Sequence, residues 1–259
     1  QKYPTLGGEM RMKKELIWTI LFIALLAVLP AKATPDPGLV GLWHFDTVTT
    51  PSDYPASPTW TPDSSGYGHT ANLYPIGSEP SLVPGKFGNA LTFDGTNDYV
   101  RVDRTEILEP SQFSVEAWVK AASMGSYKYV VAKYFDGSKG SYAFYGFSTG
   151  IYFYIGGSWG YRLSALATGV WDGNWHHVVG TYDGTRIRIY KDGGQVGTGV
   201  AETRGATYNP AGPLNIGHYD HRDMFRFPGS IDEVRIWDQA LTADQVKASY
   251  ELGLATQIN

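Results

Sequence analysis

No cysteine occurs in the 259 residues, so a disulfide, a thiolate metal site and a lipid attached through cysteine are all excluded. That absence is harmless in a large exported domain, although small ones usually depend on disulfides. Basic residues are the minority, with 21 Lys and Arg against 25 Asp and Glu, and no basic cluster follows the first few residues. Nucleic acid and anionic lipid are therefore poor partners, whereas neutral glycans and cations remain compatible. Long amphipathic helical patterns are nearly absent. There is one long apolar run, the 14 residues from Leu16 to Leu29, and a membrane span needs about 20.

That run has the anatomy of an export signal. Arg11, Lys13 and Lys14 precede it, and Ala31-Lys32-Ala33 follows as a small-x-small cleavage site. Residues 1–9 lie before Met10 and Met12 and read as an upstream extension, and 10–33 read as the signal. A secreted, periplasmic or cell-surface protein is expected, with a retained N-terminal anchor as the alternative. Residues 34–259 then form a single domain carrying 16 Lys and Arg against 23 Asp and Glu, a balance of −7. Leu252 to Asn259 show no hydrophobic tail. A single β-sandwich of this length is ordinary and buries enough surface to fold without metal.

What the chain has in quantity is glycine, at 31 residues, with 18 Tyr and 8 Trp. Short strands joined by tight turns have this composition. Strands are expected at Val40–Asp46, Ala90–Phe93, Tyr99–Val102, Phe113–Ala121, Tyr129–Tyr134 and Tyr142–Phe147. Further strands are expected at Ile151–Ile155, His176–Tyr182, Arg186–Lys191, Leu214–Ile216 and Ile231–Trp237. In the 113–121 strand, Phe113, Val115, Ala117, Val119 and Ala121 share one face, and Glu116, Trp118 and Lys120 the other. Asp183-Gly184 and Asp192-Gly193 are hairpin signals. Thr242-Ala-Asp-Gln245 has capping-box form and opens one helix, with Gly253 as its expected stop. Residues 48–68 read as one long loop.

Six segments recur in a telling order. They are Gly41-Leu-Trp-His-Phe-Asp46, Asp63-Ser-Ser-Gly-Tyr-Gly-His69, Gly88-Asn-Ala-Leu-Thr-Phe-Asp-Gly95, Ser114-Val-Glu-Ala-Trp-Val119, Trp175-His-His-Val-Val-Gly-Thr-Tyr-Asp-Gly184 and Gly229-Ser-Ile-Asp-Glu-Val-Arg-Ile-Trp-Asp238. Together they resemble the laminin-G-like jelly rolls of the concanavalin A-like lectin and glucanase superfamily. The resemblance implies an all-β, two-sheet antiparallel jelly roll with one short C-terminal helix. It also implies a structural calcium, which Asp46, Asp63 and Asp232 would hold with backbone carbonyls near Gly66 and His69. Calcium takes 6–8 oxygens, and carboxylates on separate loops suit it. Alternatively, those aspartates accept hydrogen bonds in turns and beside a buried strand.

Carbohydrate sites pair flat apolar faces with polar groups at the rim. Tyr152 and Tyr154 alternate away from Ile151, Phe153 and Ile155, and Trp159 and Tyr161 follow two glycines. The polar-aromatic segment His218-Tyr219-Asp220-His221-Arg222 offers a second set on a loop. In a sandwich this rich in Tyr and Trp, core and cross-strand roles compete with binding roles.

Catalysis finds less support. Paired carboxylates on one strand, as in Glu-x-Asp-x-x-Glu, are missing. Glu116 stands alone on its strand, with Glu233 free to approach from elsewhere. No Gln-x-His strand motif and no Gly-x-Ser-x-Gly elbow occurs. His218 and His221 lack a third histidine nearby for zinc, and the adjacent His176 and His177 face opposite ways. The expected role is therefore a non-catalytic module for extracellular or cell-wall carbohydrate, a polysaccharide or a glycoprotein glycan. A cell-surface protein-binding or adhesion module is the alternative, and a glycoside hydrolase or polysaccharide lyase comes last.

Overall fold

The structure, a computed structural model, describes residues 36–255 apart from 126, 137–138 and 220–224. The export signal expected over 10–33 lies outside the described residues, as do Asp220, His221 and Arg222.

The alternating segments assemble into two antiparallel sheets of eight and nine strands. The first sheet begins with β4 (Ser81–Pro84), β5 (Asn89–Asp94), β17 (Pro228–Trp237) and β7 (Phe113–Lys120). It continues through β13 (His176–Tyr182), β14 (Arg186–Lys191) and β15 (Gly194–Ala201), and β1 (Leu39–Trp43) pairs with the second half of β17. In the second sheet β2 (Trp60–Thr61), β3 (Ala71–Tyr74), β6 (Tyr99–Val102) and β16 (Leu214–Ile216) come first. Then follow β8 (Lys128–Asp136), β9 (Lys139–Phe147), β10 (Gly150–Gly157) and β11 (Gly160–Leu163), with β12 (Ala167–Thr168) also on β10.

The core lies between the sheets. Phe113, Val115, Ala117 and Val119 of β7 pack with Phe144, Ile151, Phe153 and Ile155 of the facing sheet, all buried. Each such side chain contributes about 1.5–3 kcal/mol by leaving water. Contact is close enough that a Cβ on Gly180 would lie 2.1 Å from Phe153 Cγ, so β13 carries glycine where that ring crosses. The β14–β15 hairpin turns at Asp192 and Gly193 with φ of 49° and 77°, the doubly left-handed turn that an Asp-Gly pair favours.

Three expectations change. Residues 48–68 are not one loop, since Thr49 bridges to Trp60 and β2 pairs with β3. Strands β2, β3, β4, β11, β12 and β15 were not anticipated: β4 and β15 are mostly exposed and leave no alternating apolar signal, and β2 and β12 are two residues each. The C-terminal helix α1 (Ala243–Ala255) continues past Gly253. That glycine is a contact point instead: a Cβ there would meet Trp118 Cζ2 at 2.4 Å. The helix start is as expected, with Gln245 N–H donating to Thr242 Oγ1 (3.3 Å) and Thr242 N–H to Gln245 Oε1 (2.8 Å).

Candidate functional site

The outward face of the second sheet carries tyrosines. On β10 the side chains of Ile151, Phe153 and Ile155 enter the core, which turns Tyr152 and Tyr154 outward. Strand register places Tyr152 beside Tyr145, and Tyr145 beside Tyr129, in a row across β10, β9 and β8. The next row is Tyr154, Ala143, Ala132 and Asn215, which sets small residues between large ones. Tyr219, just after β16, stacks on Tyr129 at 4.9 Å between centroids, and Tyr161 of β11 lies 5.7 Å from Tyr154. Tyr127, Phe147 and Phe225 extend the cluster through ring contacts of 5.8–6.3 Å.

This surface is graded in exposure. Tyr129, Tyr154 and Tyr219 are buried, whereas Tyr127 and Tyr161 are 50% and 59% exposed. Burial holds the phenols of Tyr129, Tyr145 and Tyr154 well above the usual range, so these three rings stay uncharged at physiological pH. Tyr154 Oη accepts from Gly140 N–H at 2.8 Å, and Tyr219 Oη donates to the Asp136 carbonyl, which fixes both rings. Asn215 is fully buried on this face, and neither atom of its amide has a partner among the described residues.

Of the expected ligand residues, the structure thus brings together Tyr152, Tyr154, Tyr161 and Tyr219. Trp159 goes elsewhere: its ring packs on the inter-sheet core beneath the Arg204 guanidinium (3.8 Å), and its Nε1 donates to Gly205 O (3.1 Å). His218 is buried against Tyr99, with ring centroids 5.3 Å apart. The rings of Tyr127, Tyr129 and Tyr145, which complete the platform, were missed by sequence reasoning. Their outward direction was available from the pleat, but the bulge between Tyr129 and Ala132 breaks the alternation of β8.

The three expected calcium aspartates do not converge. Asp63 Oδ1 accepts from Leu42 and Ser65 N–H, and its Oδ2 accepts from Ser65 Oγ–H and His69 N–H. Asp46 Oδ1 accepts from Asn89 N–H (2.9 Å), and Asp232 Oδ2 from Lys86 and Phe87 N–H (2.8 and 3.0 Å). No group of three metal-ligating side chains occurs among the described residues. The observed geometry is that of loop clasps, with Asp232 Oδ1 buried and without a partner among the described residues.

The outward face of the first sheet is the opposite in character. Glu116, fully buried on β7, meets Arg235 Nη1 (2.7 Å), His177 Nε2 (3.0 Å), Ser249 Oγ (2.5 Å) and Trp237 Nε1 (3.3 Å). Arg235 also bonds Glu233, which in turn meets His44 Nδ1 at 2.5 Å. Burial alone would raise the Glu116 carboxyl. Arg235, with the bonds from His177 and Ser249, outweighs that and holds it well below the usual carboxylate range. Helix α1 closes over this cluster and leaves a cavity of about 380 Å³ bounded by Glu116, Arg235, Trp237 and Ser249. Glu233 does approach Glu116, but both are ion-paired to the one Arg235 guanidinium. A glycosidase general acid needs the reverse, a carboxyl with raised pKa facing substrate.

Two antiparallel sheets with a tyrosine-covered outer face define a concanavalin-type jelly roll. The chain belongs to the concanavalin A-like lectin/glucanases superfamily, through a laminin G (Laminin_G_3) family model that matches residues 94–247. A search of curated protein sequences gave no match. Among solved structures it is similar to domain 4 of AbnA, a GH43 extracellular arabinanase from Geobacillus stearothermophilus, in complex with arabinotriose. Identity there is 20%, covering 81% of this chain and 97% of that one, with a TM-score of 0.60. It is also similar to the binding domain of Paraclostridial Mosquitocidal Protein 1 (16% identity, 82% and 52% coverage, TM-score 0.61). A botulinum neurotoxin type C structure, whose cell entry depends on two ganglioside molecules, aligns at 13% identity with 83% and 51% coverage and a TM-score of 0.61. The chain spans about half the length of those two toxin structures, and at such identities the likeness is one of fold.

Proposed function

We propose that the protein is an exported, non-catalytic module that binds an uncharged polysaccharide on the aromatic outer face of the second sheet. The observation that carries this reading is the continuous ring cluster from Tyr127 through Tyr145 and Tyr154 to Tyr161. Aromatic faces match the apolar faces of pyranose and furanose rings, and neutral phenols place no charge beside them. Support of a general kind comes from similar folds whose structures hold arabinotriose or engage gangliosides. Glu116 and Glu233, the pair weighed for hydrolysis, are locked to Arg235, which favours binding without turnover.

The test is an affinity panel of arabinan, xylan, glucan and mannan against the protein and its Tyr161→Ala and Tyr127→Ala variants. Binding of one polymer that falls at least tenfold in both variants, without release of reducing ends, is the expected result. Binding that survives both substitutions removes the platform from the reading. A cell-surface protein captured through the same two tyrosines, with no polymer bound, turns it to adhesion.

A further inference from the structure

A second recess lies on the first sheet. It measures about 350 Å³ and is walled by Trp118, Trp175 and Tyr250, with Lys86, Lys120 and Asn174 at its polar side. That volume suits one monosaccharide-sized group. Trp118 and Tyr250 stack at 5.8 Å and 22°, so β7 and α1 together build one aromatic wall.

The polar groups are unbalanced. Lys86 is 8% exposed, and its ammonium sits 4.4 Å above the Trp118 ring. Neither Lys86 nor Lys120 has an ion-pair partner among the described residues. The acid that lines the recess, Asp192, is already committed: its Oδ2 meets His176 Nδ1 at 2.8 Å and its Oδ1 accepts from His177 N–H at 3.0 Å. Trp118 Nε1, also buried, has no acceptor among the described residues. Burial lowers the pKa of Lys86, with Asp192 opposing, which is the cost of a cation that lacks a close counter-ion. Two free ammonium groups and an indole N–H between aromatic walls form a donor set in search of an acceptor.

We propose that this recess binds the carboxylate of an acidic sugar residue, with Lys86 and Lys120 on the carboxylate and the ring between Trp175 and Tyr250. The site is independent of the tyrosine platform, being built from other strands and selecting charge where the platform is neutral. It makes the protein a two-site binder, able to take a uronate-bearing chain or branch by its charged unit.

The test uses the whole chain, titrated with sodium glucuronate, glucose and sodium acetate while tryptophan fluorescence and heat are followed. A charge-assisted hydrogen bond contributes about 1.5–3 kcal/mol, so glucuronate should bind at least about tenfold more tightly than glucose. Lys86→Met should weaken glucuronate by about the same factor, as should Lys120→Met, which alters an exposed residue and serves if the Lys86 variant misfolds. Tyr161→Ala should leave this binding unchanged, which separates failure here from failure of the platform. Glucuronate no better than glucose, or equal binding by both lysine variants, overturns the site. Acetate as tight as glucuronate overturns the sugar and reduces the recess to an anion contact.

Discussion

The two outer faces of this sandwich begin from the same pleat and end as opposites. On the first sheet, Glu116, Trp118 and His177 turn outward and are buried by α1. On the second, Tyr145, Tyr152 and Tyr161 turn outward and keep contact with water. A charged network fixes one element against another, since each bond has a single geometry. A sheet of rings fixes nothing beyond itself and stays available. The lesson is that the face with the buried ion-pair network is the structural one here, and the face with exposed rings is the candidate for recognition.

The sharpest way to break that contrast is to remove Glu116. Glu116→Ala leaves Arg235 and His177 without their shared acceptor, and losing one partner of a buried pair costs about 3–5 kcal/mol. Urea melts at pH 7 should show that loss, and a loss below 1 kcal/mol would make the network dispensable. The same group sets an acid limit. Its folded pKa is depressed from the ordinary 4.5, so its stabilisation is present above that value and is lost as pH falls through the folded one. The wild-type midpoint should therefore decline below about pH 4.5, and Glu116→Ala should decline less steeply.

A smaller effect is expected where α1 touches the sheet. Gly253→Ala gains helix propensity of about 1 kcal/mol but sets a methyl 2.4 Å from Trp118, and overpacking costs about 1–3 kcal/mol. Net destabilisation, with a change in tryptophan emission, is the predicted outcome. Thr242→Ala removes one half of the capping box and should cost about 1 kcal/mol in the same melts. On the other face, Tyr161→Ala should shift stability by less than about 0.5 kcal/mol while weakening polysaccharide binding. Least of all should be the response to EDTA. Asp46, Asp63 and Asp232 are engaged by N–H donors, so melting in calcium and in EDTA should coincide, and a rise in calcium would restore the metal.

Much of the frame was legible in the chain. The limits of Tyr99–Val102, His176–Tyr182, Arg186–Lys191 and Leu214–Ile216 match the strands observed, because alternation and flanking turns are local signals. The capping box was legible for the same reason, and so was the outward turn of Tyr152 and Tyr154. What escaped is long-range. The partners of Glu116 lie 61, 119, 121 and 133 residues away, and no spacing rule connects them. The clasps of Asp46 and Asp232 close over 43 and 146 residues, and only packing shows that their donors are backbone amides. Exposed β15 carries Gly194, Gly197 and Gly199 with Gln195 and Thr198 in place of an apolar stripe, so pattern alone left it unseen.

The pairing of β1 with β17 has a mechanical consequence. Leu39 lies opposite Trp237, and Trp43 opposite Val234, so the start of one strand sits beside the end of the other. A pull applied at Leu39 and Trp237 would load these backbone bonds one after another, as a zipper, rather than all together in shear. The seam would open from Leu39 toward Trp43 at low force. A tether on both sides would thus peel β1 away first, while the strands that carry the tyrosine face would bear the load last.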